Sequence, residues 1–352
     1  MQIKPLLRFW PAIIGGWIFS ILAVIGIESS DRGFLVSIVQ ACMASAFFVF
    51  LSIAVTLTVE RMKDVKSSTK IISQIFVLVA AVLFFFFAHP IFRADLLVGL
   101  SFLSIFFLPF IFEKPTNEEF WSWLFKTGRR FLFSFVTTGL FFVSIAVLAV
   151  SIKLLFDLNV NSVIIPEIFF CVLGFVSLPV FLFGIPNVAE LKDEITTLMS
   201  RPIALFIKCV VLPAVCVYFL LVYVYGTKIL WTHEWPQGIV GTLTLVFLLF
   251  GWKANLLSFP LWSTAKRSTF FFWFGRLFWA GAIPVVILLL VSIGIRIHGF
   301  GFTPMRMLVL LTGSWFLGSA IVHLVRRTLS FVLMPSILLL ALFFFVLSPW
   351  SK

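Results

Sequence analysis

Few side chains in this chain have the type and setting to do chemistry. Glu167 is the sharpest. It stands in V-I-I-P-E-I-F-F, directly after Pro166. A carboxylate among so many apolar residues is costly unless paired or hydrated, and inside a membrane span it marks a proton or cation site. The plainer alternative is that Pro166 and Glu167 open a helix. Proline suits the first helical turn, and an acid suits the positive end of the helix dipole. His89, next to Pro90 and close to Arg93, stands alone, as does the pair His233 and Glu234. Neither has a third ligand at the spacing zinc requires. Cys42, Cys171, Cys209 and Cys216 all sit in apolar stretches, with no C-x-x-C, and read as small buried hydrophobes. There is no nucleophile elbow, H-E-x-x-H or P-loop. The residues therefore assign no catalytic group, no metal and no cofactor, and lean away from an enzyme.

A second constellation is cationic. Tyr225, Gly226, Thr227, Lys228, Trp235, Pro236 and Gly238 fall in one connecting segment. Arg296, Gly299, Gly301, Thr303, Pro304 and Arg306 fall in another. Brought together, Tyr225, Thr227, Lys228, Trp235, Arg296, Thr303 and Arg306 would form a polar surface able to hold an anionic head group or carboxylate. Alternatively, the glycines and prolines turn the chain and the cations are ordinary loop residues.

The elements that position these groups are hydrophobic spans. The chain is 62% hydrophobic and only 11% charged, against about 25% charged in a soluble domain. Spans of roughly 20 residues are expected at 9–27, 34–57, 71–87, 96–112, 131–155, 163–183, 203–225, 238–254, 270–293, 305–325 and 329–347. Backbone groups in lipid must be satisfied within the segment, so these are helices. The fold expected is an all-α polytopic transmembrane bundle of about eleven spans, a single integral membrane domain over 1–352. The eighth span is the weakest, and is either full or re-entrant. Of the 26 Lys and Arg, nineteen fall in one set of alternate loops and seven in the other. Positive charge stays on the cytoplasmic face, which puts the N-terminus inside and the C-terminus outside. The same rule accounts for the net charge of +12 without nucleic acid.

Two cytoplasmic links stand out, 113–130 and 187–201. The first ends in E-E-F-W-S-W-L-F-K, which reads as a short amphipathic helix on the membrane interface. Trp10, Trp121, Trp231, Trp235, Trp262 and Trp350 lie near span ends, as an interfacial belt would. The piece L-L-S-F-P-L-W after Lys253 is expected along the interface. Gly15-Gly16 favours close helix packing, and Pro213, Pro284 and Pro335 are expected to kink their spans.

At Y-G-T (Tyr225 to Thr227), W-P-Q-G (Trp235 to Gly238) and R-I-H-G-F-G-F-T-P-M-R (Arg296 to Arg306) the chain resembles a family of bacterial multi-pass membrane proteins, domain of unknown function 4153. Phe300 stands where the resemblance leads one to expect tyrosine. The resemblance implies a bacterial cytoplasmic (inner) membrane location and brings no catalytic residue. Three functions remain open. Transport, or handling of lipid or small molecules within the membrane, fits the many spans. A scaffold or accessory subunit of another complex fits the scarcity of intramembrane charge. An enzyme acting on a lipid or lipid-linked substrate at the outer leaflet would use Glu167, or His233 with Glu234, plus the outer cations. Membrane lipids and a protein within the membrane are the partners expected.

Overall fold

In a computed structural model of the chain, the described residues are 7–62, 65–87, 91–112, 115–156, 163–188, 198–232, 239–263, 269–325 and 331–348. Every regular element among them is helical. In order these are α1 (Trp10–Glu28), α2 (Arg32–Arg61), α3 (Ser67–Phe87), α4 (Ile91–Phe107), α5 (Asn117–Phe156) and α6 (Ile164–Phe183). Then come α7 (Arg201–Phe206, continuing through Leu212–Thr232), α8 (Ile239–Ser263), α9 (Thr269–Phe300), α10 (Pro304–Val325) and α11 (Leu333–Leu347). Among the described residues, nine helices are long and apolar enough to cross a membrane. Two shorter apolar helices, Ala94–Phe110 and Leu333–Leu347, lie where the fourth and eleventh spans are expected. Large apolar side chains face outward, such as Phe76 (72% exposed), Phe135 (69%) and Leu220 (65%). Lipid accepts such a surface and water does not.

Local signals start and stop these helices. Asp31 caps α2 by accepting from Gly33 N at 2.9 Å. Thr116 and Glu119 form a reciprocal capping box at the start of α5: Glu119 N donates to Thr116 Oγ1 at 3.2 Å, and Thr116 N donates to Glu119 Oε2 at 3.1 Å. From there α5 runs 40 residues without a break, about 60 Å at 1.5 Å per residue. The amphipathic tail of the first link is thus the start of the fifth helix. Its aromatic face meets protein: Phe120, Trp121 and Trp123 are all buried. Trp121 is therefore no belt residue. A hydrophobic face in sequence does not say whether lipid or protein will cover it. Trp10 and Trp231 do lie exposed.

The prolines act in three ways. Pro179 and Pro213 each follow a π-turn, Leu173–Ser177 in α6 and Ile207–Val211 in α7. A proline lacks the N–H that would bond four residues back, and its ring collides with that carbonyl. The wider turn relieves both. Pro260 and Pro284 lie inside α8 and α9. Pro335, expected within a span, sits in the first turn of α11, where no N–H partner is lost. The stretch after Lys253 is also placed differently from expectation. It continues α8 as helix to Ser263, and α8 is one 25-residue helix. Lys253 sits exposed partway along it.

By contacts the chain divides into two compact units, one of 1–114 with 123–191 and one of 115–122 with 192–352. Composition does not announce this division, because both halves are equally apolar. In the first unit α2 is central. Gly15 of α1 faces Phe48 and Gly26 faces Ile38, so α1 and α2 run antiparallel. Gln40 donates to Phe85 O, and Ser52 to Gln74 Oε1 at 2.7 Å, so α3 is antiparallel to α2 as well. α1 crosses α6 at Gly16 and Gly174, where Ser20 Oγ donates to Phe170 O at 2.8 Å. Ser134 Oγ of α5 donates to Ser177 O at 2.8 Å. Two serines thus serve carbonyls in and next to the π-turn. The expected role of Gly15-Gly16 in close packing is what the helices show.

In the second unit α9 is central. Gly251 of α8 lies against Phe278 and Gly241 against Leu289, an antiparallel pair. Phe219 of α7 lies on Gly281, and Gly226 faces Leu288, a parallel pair. Phe247, Phe278, Trp279, Val286 and Phe316 form the core. Trp279 stacks on His323 of α10 at 4.2 Å. The beginning of α5 belongs here: Trp121 Nε1 donates to Leu256 O at 3.0 Å, and Phe331 N donates to Asn117 Oδ1 at 3.1 Å.

Candidate functional site

The polar groups of the first unit gather at one end. Arg8, just before α1, donates its Nε to Glu60 Oε1 near the end of α2. Its two terminal nitrogens donate to Ile185 O at 3.2 Å and Pro186 O at 3.3 Å, just past α6. Arg61 donates to Val188 O at 3.5 Å and lies 4.7 Å over the Phe110 ring. The start of α1 and the ends of α2, α4 and α6 therefore meet. Lys66 and Lys70 lie at the same end, at the start of α3. Such a gathering is the three-dimensional form of a charge bias in alternate loops.

From this end a groove runs between α1 and α3 with α2 as its back wall. Its volume is about 1120 Å³. The charged end is lined by Arg8, Glu60 and Lys70, and the far end by Ile18, Val82, Phe85 and Phe86. Along α3 the lining extends from Lys70 to Phe86, about 24 Å at 1.5 Å per residue. Small residues of α2, Ala41, Ala44 and Ser45, give the groove its depth. One turn inward from the charged end lies a hydrogen-bonded cluster. Gln74 Nε2 donates to Thr56 Oγ1 at 3.0 Å and to Ser52 O at 3.4 Å, while Gln74 Oε1 accepts from Ser52 at 2.7 Å. A lone amide in a span is costly unless met in this way. Glu60 Oε2 is buried and has no partner among the described residues.

The residues singled out from sequence are placed as follows. Glu167 is half-buried in the first turn of α6, next to Pro166, with its N–H bonded to Val163 O at 3.3 Å. No ion pair to it occurs among the described residues. Tyr225, Thr227 and Lys228 lie in the last turns of α7, helix where a loop is expected, and Thr227 Oγ1 donates to Val224 O at 2.8 Å. Arg296 lies in α9. Thr303 and Arg306 come together in the corner between α9 and α10. Gly301 there has φ +76°, the left-handed conformation that ends a helix, and its N–H bonds to Ile297 O at 2.9 Å. Thr303 Oγ1 accepts from Arg306 N at 3.4 Å. The Arg306 guanidinium donates to Phe300 O at 3.0 Å and Gly301 O at 2.7 Å, meeting the carbonyls a helix end leaves open. Trp235, His89, His233, Glu234 and most of the second link lie outside the described residues. Among the described residues no three His, Cys, Asp or Glu side chains group as a metal would need. Cys171, Cys209 and Cys216 are exposed rather than buried, since an apolar exterior accepts a small thiol.

Sequence reasoning counted Arg8 and Lys70 only as loop charges and passed over Glu60, Ser52, Thr56 and Gln74. A signal was present. Ala41, Ala44, Ser45, Ser52 and Thr56 fall at helical spacing on one face of α2, a small and polar stripe in a largely bulky span.

No solved structure matches this chain. An uncharacterized protein of Pasteurella multocida (strain Pm70), PM1469, is 28% identical over 236 residues, covering 66% of this chain and 39% of that protein. The chain thus spans well under half the length of that relative. The family match reaches far beyond the C-terminal motifs that carry the resemblance, from residue 14 to residue 351. With nearly its whole length covered by that match, the chain belongs to the family described as domain of unknown function (DUF4153).

Proposed function

We propose that this is a multi-pass protein of a bacterial cytoplasmic membrane, with about eleven spans, the N-terminus inside and the C-terminus outside, that handles a lipid or lipid-like amphiphile within the bilayer. One observation carries the reading: a groove of about 1120 Å³ with aliphatic and aromatic walls and its charged groups, Arg8, Glu60 and Lys70, at one end. An acyl chain fits against Ile14, Ile18, Ile75, Leu78 and Val82, and a head group fits the charged end. On this topology that end lies at the cytoplasmic leaflet, and the groove is reached sideways from lipid. Transport or transfer of the bound molecule is the activity that such an opening supports.

The test is lipid retention. The full chain, purified in detergent and washed free of bulk lipid, is weighed by native mass spectrometry. One lipid per chain is expected to persist. Ser45→Trp, which fills the middle of the groove from α2, is expected to release it. Equal retention by wild type and Ser45→Trp refutes the reading.

A further inference from the structure

The head group that suits the groove follows from which polar atoms at its charged end are already engaged, and the argument rests on the lipid reading above. Each of the three nitrogens of Arg8 donates to a protein acceptor, Glu60, Ile185 O and Pro186 O. Its positive charge is already paired with Glu60. Glu60 differs. One of its oxygens accepts from Arg8, while Oε2 is buried without a partner among the described residues. An ionised carboxylate only accepts hydrogen bonds. Leaving a buried acceptor unmet costs free energy, so the group that completes Glu60 is a donor, and a cationic donor completes it best. The remaining charged lining residue is Lys70, exposed in the first turn of α3 and able only to donate. The groove end therefore offers one anionic acceptor and one cationic donor, the pattern that matches a zwitterion.

We infer that the groove selects a phospholipid whose head group ends in a primary ammonium. The ammonium donates to Glu60 Oε2 and the phosphate lies toward Lys70. The Gln74, Thr56 and Ser52 cluster sits one turn deeper, level with the ester region that joins head group to chains. A trimethylated head group has no N–H for Glu60. A glycerol head group brings no cationic donor for Glu60.

The full chain in detergent, titrated by native mass spectrometry with three phospholipids of identical acyl chains, distinguishes these cases. The head groups are ethanolamine, choline and glycerol. The ethanolamine lipid is expected to bind roughly ten- to a hundredfold more tightly than the other two, the range of one charge-assisted hydrogen bond. Glu60→Gln keeps an oxygen for Arg8 and removes the charge, and is expected to bring the three lipids within a few fold of one another. Lys70→Ala, on an exposed side chain, is expected to weaken the ethanolamine and choline lipids alike. A wild-type preference for the glycerol or choline lipid overturns the head-group inference and leaves the groove reading standing. So does an ethanolamine preference that survives Glu60→Gln. Binding of all three lipids equally well by Ser45→Trp overturns the groove reading itself.

Discussion

Replacing Gly174 by alanine places a methyl group where α1 and α6 touch. Its Cβ would fall on Ser20 Oγ, 2.5 Å from Gly16 O and 3.1 Å from Ser20 Cβ. The hydroxyl can swing aside only by giving up its 2.8 Å bond to Phe170 O. Gly16 O is helix backbone and cannot yield alone, so the two helices must separate. Overpacking of this kind costs about 1–3 kcal/mol. A lost interhelical hydrogen bond adds about 0.6–2 kcal/mol. The better helix propensity of alanine returns about 1 kcal/mol. The net expectation is a loss of about 2 kcal/mol. Two controls bracket it. At Gly16 a Cβ meets the end of the Leu178 side chain, which can rotate, so Gly16→Ala is expected to be near neutral. At Gly139 nothing lies within 4 Å, so Gly139→Ala keeps the propensity gain. Reversible unfolding in mixed micelles of increasing SDS content, followed by circular dichroism, ranks the three. A Gly174→Ala protein as stable as Gly139→Ala refutes the close-crossing argument. Because α1 is one wall of the groove, the same variant is expected to retain less lipid.

Two further outcomes follow from the charged end of the first unit. Arg8→Ala leaves the Glu60 carboxylate without its cation and is expected to cost about 3 kcal/mol. Adding Glu60→Gln should recover part of that loss in the same unfolding assay, and a double variant no better than the single one counts against the ion pair as the cause. Reporter fusions at Lys66 and Lys126 are expected to fall on the same side of the membrane, and fusions at Ser29 on the other; reporters at Lys66 and Lys126 on opposite sides would break the proposed topology.

Much of the fold was legible because lipid imposes a simple rule. A segment that spans oil must be apolar and helical, so unbroken runs such as 71–87 identify themselves. Turn chemistry was legible for the same local reason. Gly301, Thr303 and Pro304 end one helix and start the next within three residues, and Arg306 closes that corner through bonds to Phe300 O and Gly301 O. Where sequence reasoning departed from the structure, the missing information was the partner. The Trp121 and Trp123 face reads as amphipathic whether lipid or protein covers it, and here it is buried. Cys171 and Cys209 are small and apolar, which in water would place them inside, while here they face out.

The amino-acid order by itself determined that helices form, roughly where each begins and ends, and that positive charge is biased toward one set of alternate connections. These are local properties, set by hydropathy, capping and proline. Only the tertiary structure decided that Arg8 and Glu60, 52 positions apart, form a pair. It likewise decided that Gln74 finds Ser52 and Thr56 across two helices, and that α1 and α3 stand apart on α2 to leave a groove between them. Helix packing brings distant side chains to one point, and no periodicity along a single span carries that distance.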